Sequence, residues 1–267
     1  MSSLARQSVQ RGVFVREYPG EERRPCLVFV HGLGESGLCF ESIVEHPDLR
    51  GWTRWIVDLP GYGRSAAART PTTLSDLADH LVAWVQEELC GVLTVLVGHS
   101  MGGVVALLAA ERHADKLAAI VDVDGNKSLG DCSFSGRAAR DSLEEFETKG
   151  FDALRDEVYE AGLRDRAQRG YYASLRLCDP RAFHRHSVEL VQLSKGESMA
   201  RRLASLALPK LYVAGQPNGA CARSISLLEA AKVPWVSVAP SGHWPFIDQP
   251  DAFADVLARF VTEACWG

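Results

Sequence analysis

Residues 98–102, Gly-His-Ser-Met-Gly, contain a serine that could act as a nucleophile. The segment follows the apolar run Leu93–Gly98 and precedes a nearly all-apolar stretch with helical character, Met101–Glu111. Glycines on both sides of Ser100 permit a sharp strand-to-helix turn, because they remove side chains that would clash. Such a turn exposes the hydroxyl at a helix N-terminus, where main-chain N–H groups lack partners. The competing interpretation is a glycine-rich packing turn without chemistry.

Two further segments could complete a site around this serine. A serine hydroxyl is a poor nucleophile until a base takes its proton, and His243, late in the chain, is the candidate base. Acyl transfer also needs main-chain N–H donors for the developing oxyanion. Leu33, in the His-Gly-Leu-Gly segment 31–34, could supply one donor and Met101 the other. Taken alone, a lone histidine and a glycine-rich turn are more often structural.

The remaining histidines and the cysteines give no sign of a metal centre. His184 and His186 have a spacing that could suggest a metal, but no nearby cysteine or carboxylate completes a recognisable site. We therefore predict no metal and no organic cofactor. The seven cysteines are odd in number and none forms a C-x-x-C pair, which predicts a reduced, cytoplasmic protein with structural thiols.

Composition excludes several classes of protein. The chain has 267 residues, 46% hydrophobic and 24% charged, which is typical of a globular domain rather than of disorder. A net charge of -5 argues against a nucleic-acid-binding surface. No apolar run approaches the roughly 18 residues that a membrane helix needs, so we predict no membrane insertion. The first residues lack the apolar block of a signal peptide. Oligomeric state is left open.

Short apolar runs alternate with helical patterns along most of the chain. This alternation predicts an α/β fold, a mostly parallel sheet with helices on both faces, and continuous apolar runs suit strands buried on both sides. A capping box at Thr73–Asp76 should begin one helix, and residues 253–261 have amphipathic spacing. The predicted strands are Cys26–Val30, Trp55–Asp58, Leu93–Gly98, Ala118–Val123, Lys210–Ala214 and Trp235–Val238.

Residues 127–206 differ from the rest because they are charged, helical in pattern and without a good strand. We interpret them as a helical insertion between two core strands. The core would then comprise residues 1–126 and 207–267. Most aromatic and aliphatic side chains of the insertion should pack it together, and only a few should face a ligand. The side chains in question are Phe146, Leu154, Tyr159, Leu163, Tyr171, Tyr172 and Phe183.

Four motifs in chain order make the sequence resemble the α/β-hydrolase-fold superfamily, in particular a serine-hydrolase or esterase-like member with a helical cap. The resemblance covers nearly the whole chain, and its motifs lie at residues 31–34, 58–65, 98–103 and 242–243. The resemblance implies Ser100 as nucleophile, His243 as base, and the main-chain N–H groups of Leu33 and Met101 as oxyanion donors. It also implies that residues 127–206 are the cap.

The third member of the expected catalytic triad departs from the family pattern. The family usually places an acid after the strand that follows the cap, but that position here holds Asn218, which carries no charge. Asp124, at the tip of the preceding strand, resembles the acid that some members draw from there. Asp122 should face the same side but lie deeper. We favour Asp124; the alternatives are Asn218 as a weak orienting group, or a degraded triad. Asp124 could instead only cap the following turn.

Two alternatives belong to other classes of protein. Residues 32–37 also fit G-x-G-x-x-G, and Asp58 follows about twenty residues later, as in a dinucleotide-binding oxidoreductase. That interpretation leaves Ser100 and His243 unexplained. The second alternative is a non-catalytic receptor for a small ligand, which can keep a serine at this turn.

The prediction for activity is a carboxylesterase that cleaves a small or medium, apolar ester through an acyl-enzyme. Lactones, thioesters and carbon–carbon bonds of diketones are alternatives with the same oxyanion chemistry. A serine nucleophile argues against the aspartate-based epoxide hydrolases and dehalogenases of the superfamily. We expect a modest apolar pocket between the core and the insertion, with access controlled by motion of the insertion.

Overall fold

The computed structural model describes residues 5–21, 24–66 and 72–266. Its centre is an eight-stranded sheet in the order β1-β2-β4-β3-β5-β6-β7-β8. The strands are β1 Arg6–Gln10, β2 Val13–Tyr18, β3 Cys26–Val30, β4 Thr53–Asp58, β5 Thr94–His99, β6 Ala119–Val123, β7 Lys210–Asn218 and β8 Trp235–Gly242. β1 and β2 pair antiparallel with their neighbours, and all other pairs are parallel.

The predicted α/β fold is confirmed, and each predicted strand corresponds to an observed one. Every residue of β3, β5 and β6 is buried, which explains their continuous apolar sequences. The largest error in extent concerns the last two strands, because β7 and β8 each continue four residues beyond the predicted ends at Ala214 and Val238. Both extensions run toward the carboxyl edge of the sheet, where the candidate site lies.

The hairpin formed by β1 and β2 was not predicted from the sequence. Four of the five residues of β1 are exposed and most are polar, so its sequence resembles a loop. The strand forms because it pairs with β2 across a turn in which Arg11 and Gly12 both have positive φ, 53° and 80°. Positive φ at both turn residues is typical of the tight hairpins that match strand twist.

Helices cover the sheet. The capping box is confirmed: the Asp76 N–H donates to Thr73 Oγ1 at 3.0 Å, and the Thr73 N–H donates to Asp76 Oδ2 at 2.8 Å. Within the described residues no helix is both long and apolar enough to cross a bilayer. The α-helices of the core are α1 Glu41–Val44, α2 Leu74–Glu88, α3 Met101–Arg112, α10 Ala222–Ala230, α11 Pro245–Asp248 and α12 Pro250–Trp266.

Residues 127–206 contain helices and no strand. The rings of Phe146, Phe151 and Phe183 pack together with centroids 5.5–5.7 Å apart and form the centre of this segment. Tyr159 and Leu163, which we expected to pack inside, are instead 47% and 56% exposed. The α-helices are α4 Ser133–Ala138, α5 Leu143–Glu145, α6 Phe151–Gly162, α7 Arg166–Leu175, α8 Pro180–Lys195 and α9 Met199–Ser205.

Candidate active site

Ser100 lies on a strained turn between β5 and α3. Its φ is 53° and its ψ is -117°, a conformation that non-glycine residues rarely adopt. Its N–H donates to the carbonyl of Val123, at the end of β6. A Cβ at Gly98 would lie 2.2 Å from the Gly102 carbonyl oxygen, and a Cβ at Gly102 would lie 2.1 Å from that of Val30. Both glycines are therefore needed for the turn that presents the hydroxyl.

His243 follows β8 and lines the same cavity as Ser100. Its Nδ1 is 3.5 Å from Asp124 Oδ2, and its side chain is 27% exposed, whereas that of Asp124 is fully buried. A carboxylate at Nδ1 holds the imidazole so that Nε2 can exchange a proton with a hydroxyl. The fold thus brings together three residues that are far apart in the sequence.

The Asp124 carboxylate is held by the loop that follows β7. Its Oδ1 accepts hydrogen bonds from the N–H groups of Gly215 and Ala220, at 3.0 and 3.1 Å. Its Oδ2 has no hydrogen-bond partner in the described part of the chain and is directed at His243. Burial raises the pKa of Asp124 above its usual value, although the nearby His243 ring and the hydrogen bond from the Gly215 N–H act to lower it.

Asn218 is exposed at the end of β7, and its backbone pairs with Gly242. No hydrogen bond joins its side chain to His243 among the described residues. The loop from Gly215 to Ala220 instead folds around Asp124, so closely that a Cβ at Gly219 would lie 2.2 Å from Asp124 Oδ2. The segment that could have carried an acid therefore supplies hydrogen-bond donors to one.

Both candidate oxyanion donors lie beside Ser100. Met101 is the first residue of α3, where a main-chain N–H has no acceptor within the helix. Leu33 lines the cavity. The segment that carries it touches the nucleophile, since a Cβ at Gly32 would lie 3.0 Å from Ser100 Cβ. Both residues therefore lie close to Ser100, and their role as oxyanion donors stays a prediction.

A buried network behind the site was not predicted from the sequence. Glu35 Oε2 accepts hydrogen bonds from the Gly32 N–H at 2.6 Å and from His99 Nδ1 at 2.9 Å, and Oε1 accepts from Trp244 Nε1. His99 Nε2 donates to the carbonyl oxygen of His243 at 2.7 Å. The network therefore ties the segment of Leu33 to the segment of His243. The only sequence signal was position: His99 lies inside the motif at 98–103, and Glu35 directly follows the motif at 31–34.

Glu35 and His99 form a charged pair. Burial would raise the pKa of Glu35, but the charge and hydrogen bond of His99, with those of Trp244 and Gly32, lower it to about 2. Burial would likewise lower the pKa of His99, but Glu35 and the His243 carbonyl raise it above its usual value. Both ring nitrogens of His99 face oxygen acceptors, so the ring carries both protons.

Glu35→Gln should lower the free energy of unfolding by about 2–4 kcal/mol, because it leaves a buried imidazolium without its counter-charge. The stabilising effect of Glu35 is present above its unfolded pKa of 4.5 and is lost as the pH falls toward 2. That of His99 is present below its unfolded pKa of 6.5 and is lost as the pH rises through its higher folded value. Urea unfolding across pH should show the largest difference from wild type between these two unfolded values.

The matched control is Glu88→Gln on the exposed face of α2, which should change stability by less than about 0.5 kcal/mol at every pH. A difference between wild type and Glu35→Gln that does not vary with pH would contradict the charged pair.

His184 and His186 are engaged in other contacts. His184 Nε2 bonds to the Asp141 carbonyl oxygen. His186 Nδ1 is 2.7 Å from the Tyr62 hydroxyl and its Nε2 is 3.1 Å from the Thr72 carbonyl oxygen. Burial lowers the pKa of His186 to about 4, so its ring is neutral near pH 7. Both nitrogens of His186 are used in packing the helical segment on the core.

The residues of the alternative dinucleotide fingerprint are also used internally. The Gly32 N–H donates to Glu35 rather than standing free for a phosphate. Asp58 is fully buried and accepts from the main-chain N–H groups of Gly37 and Arg64 and from the Arg16 guanidinium. It cannot bind a ribose without breaking these bonds. The geometry therefore disfavours the dinucleotide interpretation.

The cavity at Ser100 measures about 30 Å³ in this structure. Its lining comes from both the core and residues 127–206. The expectation of an apolar pocket is met only in part, because polar side chains form much of the wall. The apolar and aromatic lining includes Leu33, Phe134, Tyr171, Leu190 and Trp244, and the polar lining includes Asn126, Asp131, Ser133 and Ser135.

Comparison with known proteins agrees with this geometry. Residues 27–256 match the model of the alpha/beta hydrolase family. The chain is 30% identical over 252 residues to a pimeloyl-[acyl-carrier protein] methyl ester esterase of Edwardsiella ictaluri, covering 88% of this chain and 92% of that protein. It is 28% identical over 254 residues to a 2-succinyl-6-hydroxy-2,4-cyclohexadiene-1-carboxylate synthase of Pectobacterium atrosepticum, covering 90% and 94%.

A solved structure shares the fold: the enol-lactonase from Burkholderia xenovorans superposes with a TM-score of 0.76 at 19% identity, over 96% of this chain and all of that one. The chain belongs to the alpha/beta hydrolase family. The predicted resemblance is confirmed.

Proposed function

We propose that this hydrolase is a serine esterase that cleaves a small or medium carboxylic ester through an acyl-enzyme, with Ser100 as nucleophile. The observation that carries the proposal is the convergence of Ser100 and His243 on one cavity, with the buried Asp124 carboxylate behind the imidazole. A strained serine next to a carboxylate-oriented histidine is the arrangement that nucleophilic acyl transfer needs.

In the first half of the reaction, His243 Nε2 takes the hydroxyl proton as Ser100 Oγ bonds to the ester carbonyl carbon. The carbonyl π electrons move to its oxygen, which the N–H groups of Leu33 and Met101 stabilise. The tetrahedral intermediate then expels the alkoxide, which receives the proton from His243 and leaves as the alcohol. The acyl group stays on Ser100, and Asp124 stabilises the imidazolium in between.

The second half repeats these steps with water. His243 takes a proton from water as the water oxygen attacks the acyl carbon, and Ser100 Oγ leaves with that proton. The carboxylic acid is released and the free enzyme returns. No step uses a metal or an organic cofactor.

The helical segment 127–206 acts as a cap in this proposal. It contributes Phe134, Tyr171 and Leu190 to the lining of the cavity that contains Ser100. The cavity is narrow in this structure, so we expect the cap to shift when an ester enters. Motion of the cap would thus control access, and the polar part of the lining would contact the bound substrate.

The name of one of the two relatives supports an ester as substrate, and the name of the other does not. One relative is named as an esterase of a methyl ester and the other as a synthase, at almost equal identity. The choice of hydrolysis therefore rests on the site. We further propose a reduced, cytoplasmic setting, which is supported by seven cysteines, all described, none of them in a disulfide.

A hydrolysis panel tests the proposal. It compares p-nitrophenyl esters of increasing acyl length with lactones and thioesters, each assayed with wild type. We expect turnover of the shorter esters to exceed that of the other classes. Turnover of lactones or thioesters alone would move the function to those bonds. Tight binding of an ester without any turnover would contradict the esterase and favour the receptor.

A further inference from the structure

Two buried polar atoms on the wall of the active-site cavity have no hydrogen-bond partner among the residues that the structure describes. They are Asn126 Oδ1 and the Tyr171 hydroxyl, and their residues are 3% and 4% exposed. Buried polar groups are nearly always paired, because leaving one unpaired forfeits the hydrogen bonds that it made in water. Both atoms lie on the cavity that contains Ser100 and His243, so a ligand there could pair them.

The orientation of Asn126 makes it an acceptor. Its Nδ2 donates to the Asp131 carbonyl oxygen at 3.1 Å and lies 3.6 Å from Cys132 Sγ. The amide nitrogen is therefore used within the protein, and the amide oxygen is the end left free. A ligand must offer this oxygen an N–H or O–H group.

Tyr171 is placed as a donor. Its ring packs against Phe134 and Trp244, with centroids 5.1 and 5.7 Å away. Its hydroxyl reaches the segment of Leu33, since a Cβ at Gly34 would lie 2.8 Å from it. Burial raises the pKa of Tyr171 well above its usual value, so the hydroxyl keeps its proton. The hydroxyl can therefore donate a hydrogen bond to an acceptor oxygen of a ligand.

The two carboxylates of the lining are not available to a ligand in the same way. Asp131 Oδ2 accepts from the Lys127 N–H and the Ser224 hydroxyl, and Oδ1 accepts from the Cys221 N–H. Glu35 is engaged with His99, as described above. Among the described residues of the lining, Asn126 and Tyr171 are therefore the side chains with an unsatisfied buried atom.

We propose that Asn126 and Tyr171 form a subsite for a polar substituent on the substrate, a group that both donates and accepts a hydrogen bond. A hydroxyl or a secondary amide close to the ester carbonyl has this chemistry. The inference rests on the proposed function and narrows it: the preferred ester is not a plain alkyl ester. It also explains why the pocket is less apolar than the sequence predicted.

The test is a comparison of matched esters. The p-nitrophenyl esters of butyric acid, 3-hydroxybutyric acid and N-acetylglycine differ in having no such group, a hydroxyl or an amide. Wild type should favour one or both substituted esters in kcat/KM. Tyr171→Phe removes only the unpaired hydroxyl, and it should reduce that preference about five- to tenfold. Asn126→Leu should reduce it in the same direction.

Tyr172→Phe is the matched control. Tyr172 is the next residue on α7, and its ring packs against Tyr159 at a centroid distance of 5.2 Å, away from the cavity lining. This variant should keep the wild-type preference. Because the Tyr171 hydroxyl has no partner in the described part of the protein, Tyr171→Phe should fold with an unchanged Tm, and the comparison is not confounded by stability.

Each outcome of the ester comparison either supports or overturns the subsite. If wild type hydrolyses all three esters without preference, or if Tyr171→Phe keeps the preference, the subsite is wrong while the esterase stands. If wild type hydrolyses none of them, the proposed function is in error. The subsite is then judged by calorimetric binding of the corresponding methyl esters to Ser100→Ala protein. Equal affinity for substituted and plain esters would overturn it too.

Discussion

Ser100→Ala is expected to lower kcat/KM for a p-nitrophenyl ester by about 10⁴-fold or more. The substitution removes the atom that bonds to the carbonyl carbon, and no other group can take its place in a covalent mechanism. Residual catalysis above the rate in water should persist, because the amides of Leu33 and Met101 would remain in place. Initial rates with wild type and variant at matched concentrations measure the effect.

Ser226→Ala provides the control for this substitution. Ser226 is exposed on α10, and its hydroxyl donates only to the Ala222 carbonyl oxygen of its own helix. Its loss should leave kcat/KM within about twofold of wild type. A Ser100→Ala enzyme that kept more than a tenth of the wild-type rate would exclude Ser100 as the nucleophile.

Asp124→Asn should lower kcat by about 10³- to 10⁴-fold and change KM little. An amide has nearly the same shape but no charge to stabilise imidazolium, and it can present an N–H₂ group to Nδ1 and favour the wrong tautomer. The Gly215 and Ala220 N–H groups would still find an oxygen, so the fold around the site should survive. Steady-state kinetics together with a Tm measurement separates lost catalysis from lost folding.

Asn218→Ala is the partner experiment. Asn218 is exposed, and we expect its removal to change kcat by less than about twofold. If Asn218→Ala were the damaging substitution and Asp124→Asn the harmless one, the role of the acid would belong to the loop after β7. Loss of activity in neither variant would point to a histidine that acts without a third residue.

The sequence predicted best the features that depend on local sterics and burial. The turn at Ser100 was predictable because Gly98 and Gly102 stand at positions where a larger side chain would clash with the main chain. The central strands were predictable because burial on both faces demands continuous apolar residues. The predicted end of β6 at Val123 was enough to place Asp124 at its tip, and the observed strand ends at the same residue.

Features that depend on pairing between distant segments were not predictable. The β1 strand is polar, and only its partner β2 makes it a strand. Glu35 and His99 are hydrogen-bonded although they lie 64 positions apart in the sequence, and no local pattern indicates the pair. The unpaired oxygen of Asn126 likewise becomes visible only when each hydrogen bond around it is known.

The central claim is that Ser100 is a nucleophile activated by His243. A fluorophosphonate probe tests it directly, because such probes bond covalently to activated serines. Labelling of wild type, followed by peptide mapping by mass spectrometry, should place a single adduct on Ser100, and His243→Ala should slow labelling by about 10³-fold or more. An adduct on another residue, or a labelling rate that is the same in His243→Ala, would contradict the account.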